Sequence, residues 1–180
     1  MTYSPPQYWT ERGRDYEQEA VRGGWWATQN EPVLALLDRL EFASVLEVGC
    51  GFGRVGSHVL ARHPDIAYTG LDVSPDLIEG ARRLLPDAEL ICADLATWDT
   101  DRQWDLVLSV SVLGHLLPQD IGSVLAKLRR LARRDLVHVD WNEVGKSTEY
   151  QYGHPYRELH GDDPVMEIPY GRQTIFWVPS

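Results

Sequence analysis

The stretch VLEVGCGFGRVG, from Val45 to Gly56, decides how this chain is read. It belongs to a short apolar run, Ser44–Val48, of the kind that forms a buried strand. Glu47, Gly49, Gly51 and Gly53 then fall at every second position. Arg54 opens a helical pattern that buries Val55, Val59 and Leu60 on one face. Glycine at alternate sites lets the backbone take positive φ and removes Cβ atoms that would hold a ligand away. Such a turn, between a strand and a helix N-terminus, is where open α/β sheets bind nucleotide-like cofactors.

Strand and helix go on alternating beyond this turn. Before it, a helix is expected over Glu31–Leu40, with Pro32 in its first turn and Val33, Leu36, Leu37 and Leu40 along one face. After it, strand two covers Ala67–Leu71 and ends at Asp72. Ser74, Pro75 and Asp76 supply a cap, a preset first turn and an acid for a helix reaching Leu85, which Pro86 stops. Strand three is Glu89–Cys92, followed by Ala93 and Asp94. Strand four, Asp105–Val110, is almost wholly apolar, as a central strand covered on both faces should be. A helix from about Pro118 and strand five, Leu136–Trp141, follow. Residues 142–153 read as loop, His154–Leu159 as a short helix, and Val165–Pro169 with Gln173–Val178 as a hairpin joined by Pro169-Tyr170-Gly171-Arg172. This order calls for an α/β fold: one Rossmann-like doubly wound sheet, mostly parallel, with an antiparallel C-terminal hairpin.

Size and composition set outer limits. With 180 residues, 43% of them hydrophobic and 24% charged, the chain is expected to be one soluble domain, residues 1–40 forming a helical N-terminal segment and 41–180 the core. No run approaches the roughly 18 apolar residues of a membrane span, and the N-terminus has no apolar signal region. Two cysteines, Cys50 and Cys92, in separate elements make a disulfide improbable and favour a cytoplasmic location. No Cys/His cluster suggests a metal. A net charge of −10 argues against a nucleic-acid partner. The basic cluster Lys127, Arg129, Arg130, Arg133 and Arg134 reads as a solvated helix end that complements the macrodipole. Nothing here sets an oligomeric state.

Two cofactors compete for the glycine turn. Gly51, Gly53 and Gly56 match the GxGxxG of dinucleotide-binding proteins, with Asp72 about twenty residues on. The fuller pattern, E-x-G-x-G-x-G, together with Asp72, Asp94 and the terminal hairpin, resembles the class I S-adenosylmethionine-dependent methyltransferases over roughly Val33 to Val178. The nicotinamide reading leaves Asp94 and the hairpin unexplained. A fold member that binds the cofactor without transferring methyl stays open as a third reading.

The resemblance implies S-adenosyl-L-methionine as cofactor and assigns it residues. Gly49, Gly51 and Gly53 would wrap its methionine half, with Glu47 near the ammonium and Arg54 near the carboxylate. Asp72, with Val73 beside it, would take the ribose hydroxyls, a pairing that suits an ionised carboxylate. Asp94 would meet the adenine amino group and Leu95 would offer an adjacent N–H. Ser109 and Val110, ending strand four, would present carbonyls to the methionine ammonium. Phe52 departs from the small polar residue common in this loop.

Methyl transfer from a sulfonium chiefly needs positioning, and a base only where the acceptor is a poor nucleophile as bound. His115 after strand four and Asp140 at the end of strand five are the candidate catalytic residues. Asn142, with Glu143 beside it, and His154 and Tyr156 in GHPYREL are candidate acceptor contacts. So are Tyr8 and Tyr16, from an N-terminal segment rich in aromatics (Tyr3, Trp9, Trp25 and Trp26 among them) that forms either a lid or static packing. His138 reads as a satisfied core histidine. Ser109-Val110-Ser111-Val112 lacks the D-P-P-Y-type motif of enzymes that methylate base or amide nitrogens. The expected acceptor is therefore a small molecule, with N-, O- and C-methylation all open.

Overall fold

A computed structural model of the chain describes residues 3–23, 27–141 and 144–179. Trp25, Trp26, Asn142 and Glu143 lie outside the described residues. The centre is a seven-stranded sheet, ordered β3-β2-β1-β4-β5-β9-β8. Its strands are β1 (Ser44–Val48), β2 (Ala67–Asp72), β3 (Glu89–Cys92), β4 (Trp104–Val110), β5 (Ala132–Trp141), β8 (Met166–Tyr170) and β9 (Gln173–Pro179). The first five run parallel, while β9 is antiparallel to both β5 and β8. The chain reverses its direction of growth between β1 and β4, which places the crevice of a doubly wound sheet at their carboxyl ends.

Alternation along the strands gives each face its own core. On one face Leu46, Val48, Val107, Leu136 and Phe176 pack against Val124, Leu128 and Leu131 of α5 (Ile121–Leu131) and Tyr156 of α6 (Tyr156–Leu159). On the other, Val45, Leu106, Leu108, Val137 and Ile175 meet Val33 and Leu37 of α2 (Ala27–Leu37) and Val55 and Val59 of α3 (Arg54–Arg62). The next helix, α4 (Pro75–Leu84), starts as its sequence dictates. The Ser74 hydroxyl accepts from the Leu77 N–H and Pro75 opens the first turn.

Several boundaries differ from expectation. The N-terminal segment carries a 19-residue helix, α1 (Pro5–Gly23), ahead of α2. The helix expected over Glu31–Leu40 begins earlier, so Pro32 sits inside α2, where it forgoes one helical hydrogen bond. Residues after Leu37 tighten into i→i+3 bonds, Arg39 to Leu36 and Leu40 to Leu37. The helix expected from Pro118 starts at Ile121, because Leu117–Asp120 forms a turn, closed by the Asp120 N–H on the Leu117 carbonyl at 2.9 Å.

β5 starts at Ala132 rather than Leu136, so Arg133 and Arg134 belong to a strand. Arg133 pairs with Asp105 at 2.8 Å, and Lys127 donates to the carbonyls of Leu95, Ala96 and Trp98. The basic cluster is thus partly structural cross-linking and not only a solvated helix face. Residues expected as loop form a separate two-stranded hairpin, β6 (Gly145–Thr148) and β7 (Gln151–Gly153). Cys92 is exposed and not part of the core. The C-terminal hairpin turns at Gly171-Arg172 with Gly171 at φ 59°, a conformation that suits glycine.

Candidate active site

A cavity of about 360 Å³ opens at the carboxyl ends of β1, β2 and β4, beneath α1. Of the residues singled out from the sequence, Glu47, Gly49, Gly51, Arg54, Asp72, Val73, Asp94, Leu95, Val110, His115 and Tyr16 line it.

The loop after β1 and the acid ending β2 hold each other. Asp72 accepts the Gly51 N–H at 2.9 Å on one carboxylate oxygen and the Ser74 N–H at 2.9 Å on the other. Burial raises its pKa while the bonds to Ser74 and Gly51 oppose the rise. Each oxygen keeps acceptor capacity for a further donor. At Gly51, φ is 56° and a Cβ would meet nothing within 4 Å, so the missing side chain leaves open room beside the carboxylate. The neighbouring glycines serve packing: a Cβ on Gly49 would strike Val112 and one on Gly53 would strike Leu85.

Glu47 is buried on the opposite face of β1 from Leu46. It accepts the Tyr68 hydroxyl at 2.7 Å, and burial pushes its carboxyl up to about 7 against the pull of Tyr68 and Arg54. Arg54 reaches from the first turn of α3 to the Asn30 side-chain oxygen. Burial lowers its pKa, with Tyr16 and Glu47 acting in the other direction. A cation and a near-neutral acid thus stand side by side on the cavity wall. On the β3 side, one oxygen of Asp94 accepts the Ala96 N–H at 2.9 Å.

The exit from β4 is unusual. Ser111 takes φ 59°, the left-handed region that a non-glycine residue adopts only when its surroundings enforce it. Its N–H bonds the Val139 carbonyl at 2.7 Å and its hydroxyl accepts from Gln173 at 2.7 Å. The chain then forms a short 3₁₀ turn, Leu113–His115. His115 Nδ1 lies 2.8 Å from the Tyr150 carbonyl oxygen of the β6–β7 hairpin. A carbonyl only accepts, so Nδ1 carries the proton and Nε2 keeps its lone pair. Burial lowers the His115 pKa, which leaves the imidazole neutral at neutral pH.

α1 closes the cavity from above. Trp9 and Tyr16 line it, and the Trp9 ring meets the edges of both Tyr16 (5.2 Å) and His115 (4.8 Å). Gly13 allows the helix to come close, since a Cβ there would stand 2.1 Å from the Ser74 hydroxyl. Tyr8 points elsewhere: it stacks on Tyr150 at 4.4 Å, about 100° round the helix from Trp9.

Five other expected site residues do not line the cavity. Gly53 is a buried N-cap of α3. Ser109 is fully buried on the face of the sheet that packs against α5. Asp140 is 0% exposed, and its carboxylate accepts the Gly114 N–H at 3.2 Å instead of facing an acceptor. His154 and Tyr156 are buried beside it, and the Tyr156 ring packs on His138 and Phe176. For Ser109 and Asp140, alternation along β4 and β5 turns the side chain inward, and for Tyr156 the burial of α6 does so. Asn142 lies outside the described residues.

Residues 46–135 match the methyltransferase-domain family. The chain belongs to that family. Among similar proteins, the trans-aconitate 2-methyltransferase of Methylobacterium radiotolerans is 36% identical over 103 residues, 56% of this chain and 39% of that protein. The malonyl-[acyl-carrier protein] O-methyltransferase of Acetivibrio thermocellus is 28% identical over 159 residues, 81% of this chain and 53% of that protein. The chain thus spans about half the length, or less, of these relatives. The fold matches magnesium protoporphyrin IX methyltransferase from Synechocystis with bound SAM at a TM-score of 0.73 and 19% identity, covering 98% of this chain and 97% of that one. It matches the DhpI–SAH complex at 0.74 and 19%, covering 98% and 94%.

In this methyltransferase-domain chain, the cavity also includes residues not singled out from the sequence as site residues. Cys50, Val55, Leu77, Val112, Leu117 and Asp120 are among them, with Ser111 and Trp9. For Trp9 a signal existed: Trp9, Gly13, Tyr16 and Ala20 are spaced for one helical face. For Ser111 no sequence pattern announces a left-handed serine.

Proposed function

We propose that the cavity binds S-adenosyl-L-methionine and that the protein transfers its methyl group to a small-molecule acceptor admitted beside α1. The observation that carries this reading is the relation of Asp72 to Gly51. An acid ending β2 stands in the cavity with acceptor capacity to spare, next to a glycine whose absent side chain leaves open space.

The donor set fits the cofactor. Asp72 would take the ribose hydroxyls, with Val73 against the sugar. Asp94 and the Leu95 N–H lie on the β3 side, where the adenine would rest. Glu47 and Arg54 offer an acid and a cation to the two charged ends of the methionine, and Val110 at the end of β4 borders the same cavity. When bound, S-adenosyl-L-methionine supplies an electrophilic methyl carbon on a positively charged sulfur. His115, neutral and with Nε2 unprotonated, would accept the acceptor's proton. Trp9 and Tyr16 would exclude water above the reacting atoms.

On this reading residues 1–180 form one domain, with the N-terminal segment as cover over the core. The net charge of −10 supports a small-molecule acceptor over a nucleic acid. Two free cysteines support a cytoplasmic setting, and among the described residues no helix is long and apolar enough to cross a membrane. Incubation with methyl-labelled cofactor and a panel of small hydroxy, amino and carboxylic compounds tests the reading. Label is expected in at least one product. Tight cofactor binding with no labelled product from any acceptor would contradict transfer.

A further inference from the structure

Behind the cavity wall lies a second group of titratable side chains that the transfer reaction does not touch. Asp140 and His138, both 0% exposed, alternate along β5 on the face that packs against α5 and α6. His138 Nδ1 lies 2.9 Å from Asp140 Oδ2, and His138 Nε2 lies 2.9 Å from His160 Nε2. The other Asp140 oxygen accepts the Gly114 N–H at 3.2 Å, within the turn that ends in His115. The His138 ring is held flat by Phe176, stacked at 4.7 Å and 11°, with Tyr156 at 4.9 Å.

We propose that Asp140, His138 and His160 form a buried relay of hydrogen bonds that positions His115, acting through the Gly114 amide. The proposal rests on the reading of His115 as the proton acceptor. Hydrogen-bond bookkeeping fixes the Asp140 end of the chain. A carboxylate only accepts, so His138 Nδ1 donates to Asp140. On the other side of the ring, His138 Nε2 and His160 Nε2 share one proton between them. Burial, His138, Arg157 and Arg129 hold the His160 pKa down to about 4, so this ring is neutral at neutral pH. The His138 Nδ1–H and the Gly114 N–H both point at Asp140, and the carboxylate passes that restraint to the turn.

The turn is clamped from a second side. The Tyr150 carbonyl holds the His115 ring, and a Cβ on Gly114 would stand 3.2 Å from the Tyr152 carbonyl oxygen. Two independent elements, β5 and the β6–β7 hairpin, therefore fix the same three residues. A buried polar chain of this kind is costly unless each member is satisfied, and a packed apolar residue at 140 would fill the space without it. What the carboxylate adds is an anchor for one backbone amide next to a cavity imidazole. Asp140 is accordingly a positioning residue, not the catalytic group its place after strand five suggested.

The test uses the full chain and nitrogen-15 NMR of the histidine rings, with S-adenosylhomocysteine affinity measured alongside. In the wild type, His115 is expected as the Nδ1–H tautomer, with the Gly114 amide proton shifted downfield by its carboxylate partner. Asp140→Ala should move the Gly114 resonance upfield. It should also raise the share of His115 in the Nε2–H form about five-fold, the ratio that corresponds to one hydrogen bond of ordinary net strength. Asp140→Asn, which keeps an oxygen for Gly114, should restore most of the wild-type ratio. His160→Gln, a milder change that still offers an N–H, should shift His115 in the same direction by less, and it serves if Asp140→Ala does not fold. Unchanged His115 signals in variants whose His138 signals do change would overturn the relay. A wild-type His115 in the Nε2–H form would instead remove the proton-acceptor reading, while the Gly114 shift would still report the Asp140 bond.

Discussion

The ring of His115 and the carbonyl of Tyr150, 35 residues apart and 2.8 Å from each other, fix where the proton of a cavity imidazole sits. A small hairpin outside the main sheet thereby sets the tautomer of a residue delivered by the exit of β4. His115→Ala should leave S-adenosylhomocysteine affinity within about three-fold of wild type. Turnover with any O–H or N–H acceptor should fall by about 10²–10⁴. Calorimetry and initial rates on the same preparations separate the two, and full turnover in the variant would leave positioning as the sole catalytic device.

On the proposed function Asp72 has a double role, and its removal should register twice. Asp72→Ala breaks the bonds to Gly51 and Ser74 and would strip the cavity of the proposed diol acceptor. Stability is expected to drop by about 1–3 kcal/mol, since two backbone donors lose a buried partner. The cofactor Kd should rise by several-fold to hundreds-fold. Thermal unfolding with and without S-adenosylhomocysteine reads both. An intact affinity would remove Asp72 from the ribose contact.

If Glu47 meets the cofactor as proposed, binding should depend on pH in a definite direction. Its pKa of about 7 in the folded protein lies above the 4.5 of a free carboxyl, so burying it costs stability as pH rises from about 4.5 through 7. The positive end of a bound methionine group favours the ionised form. Binding near pH 6 should therefore release protons, and affinity should weaken as pH falls from 8 to 6. Calorimetry in two buffers of different ionisation enthalpy counts the protons. Glu47→Gln should abolish the release, and Tyr68→Phe should move the midpoint higher, because the Tyr68 hydroxyl favours the carboxylate.

The approach of α1 depends on Gly13. Gly13→Val places a side chain against the Ser74 hydroxyl, where even a Cβ would stand at 2.1 Å. Valine has the better helix propensity of the two, so the helix itself should survive. The expected result is a displaced α1, with tryptophan fluorescence more accessible to quencher and S-adenosylhomocysteine dissociating several-fold faster in stopped flow. Unaltered quenching and release would show that α1 does not need this contact to cover the site.

Much of the cavity lining was legible in the sequence because its signals are local. An apolar strand, alternate glycines, an acid ending β2 and another two residues past β3 sit within a few residues of the features that explain them. The losses arose where a signal was ambiguous or non-local. Ala132 both closes α5 and opens β5, so Arg-Arg-Leu-Ala-Arg-Arg, residues 129–134, read as one basic helix end. On α1 the 9-13-16-20 face carries a glycine and an alanine beside its two aromatics, so its apolar signal is weak. The β6–β7 hairpin carries no apolar alternation. Asp140 was correctly placed at a strand end, but which face it takes follows from its register with Thr174 of β9, and no single segment encodes that.

On the proposed function, Asp72 and the Gly51 turn clasp an adenosyl cofactor. Calorimetry of the full chain with S-adenosylhomocysteine, set beside NADH, tests it most directly. One molecule bound per chain, lost or strongly weakened in Asp72→Ala and absent with NADH, is the outcome expected. No heat with S-adenosylhomocysteine, or saturable binding of NADH in its place, would contradict it.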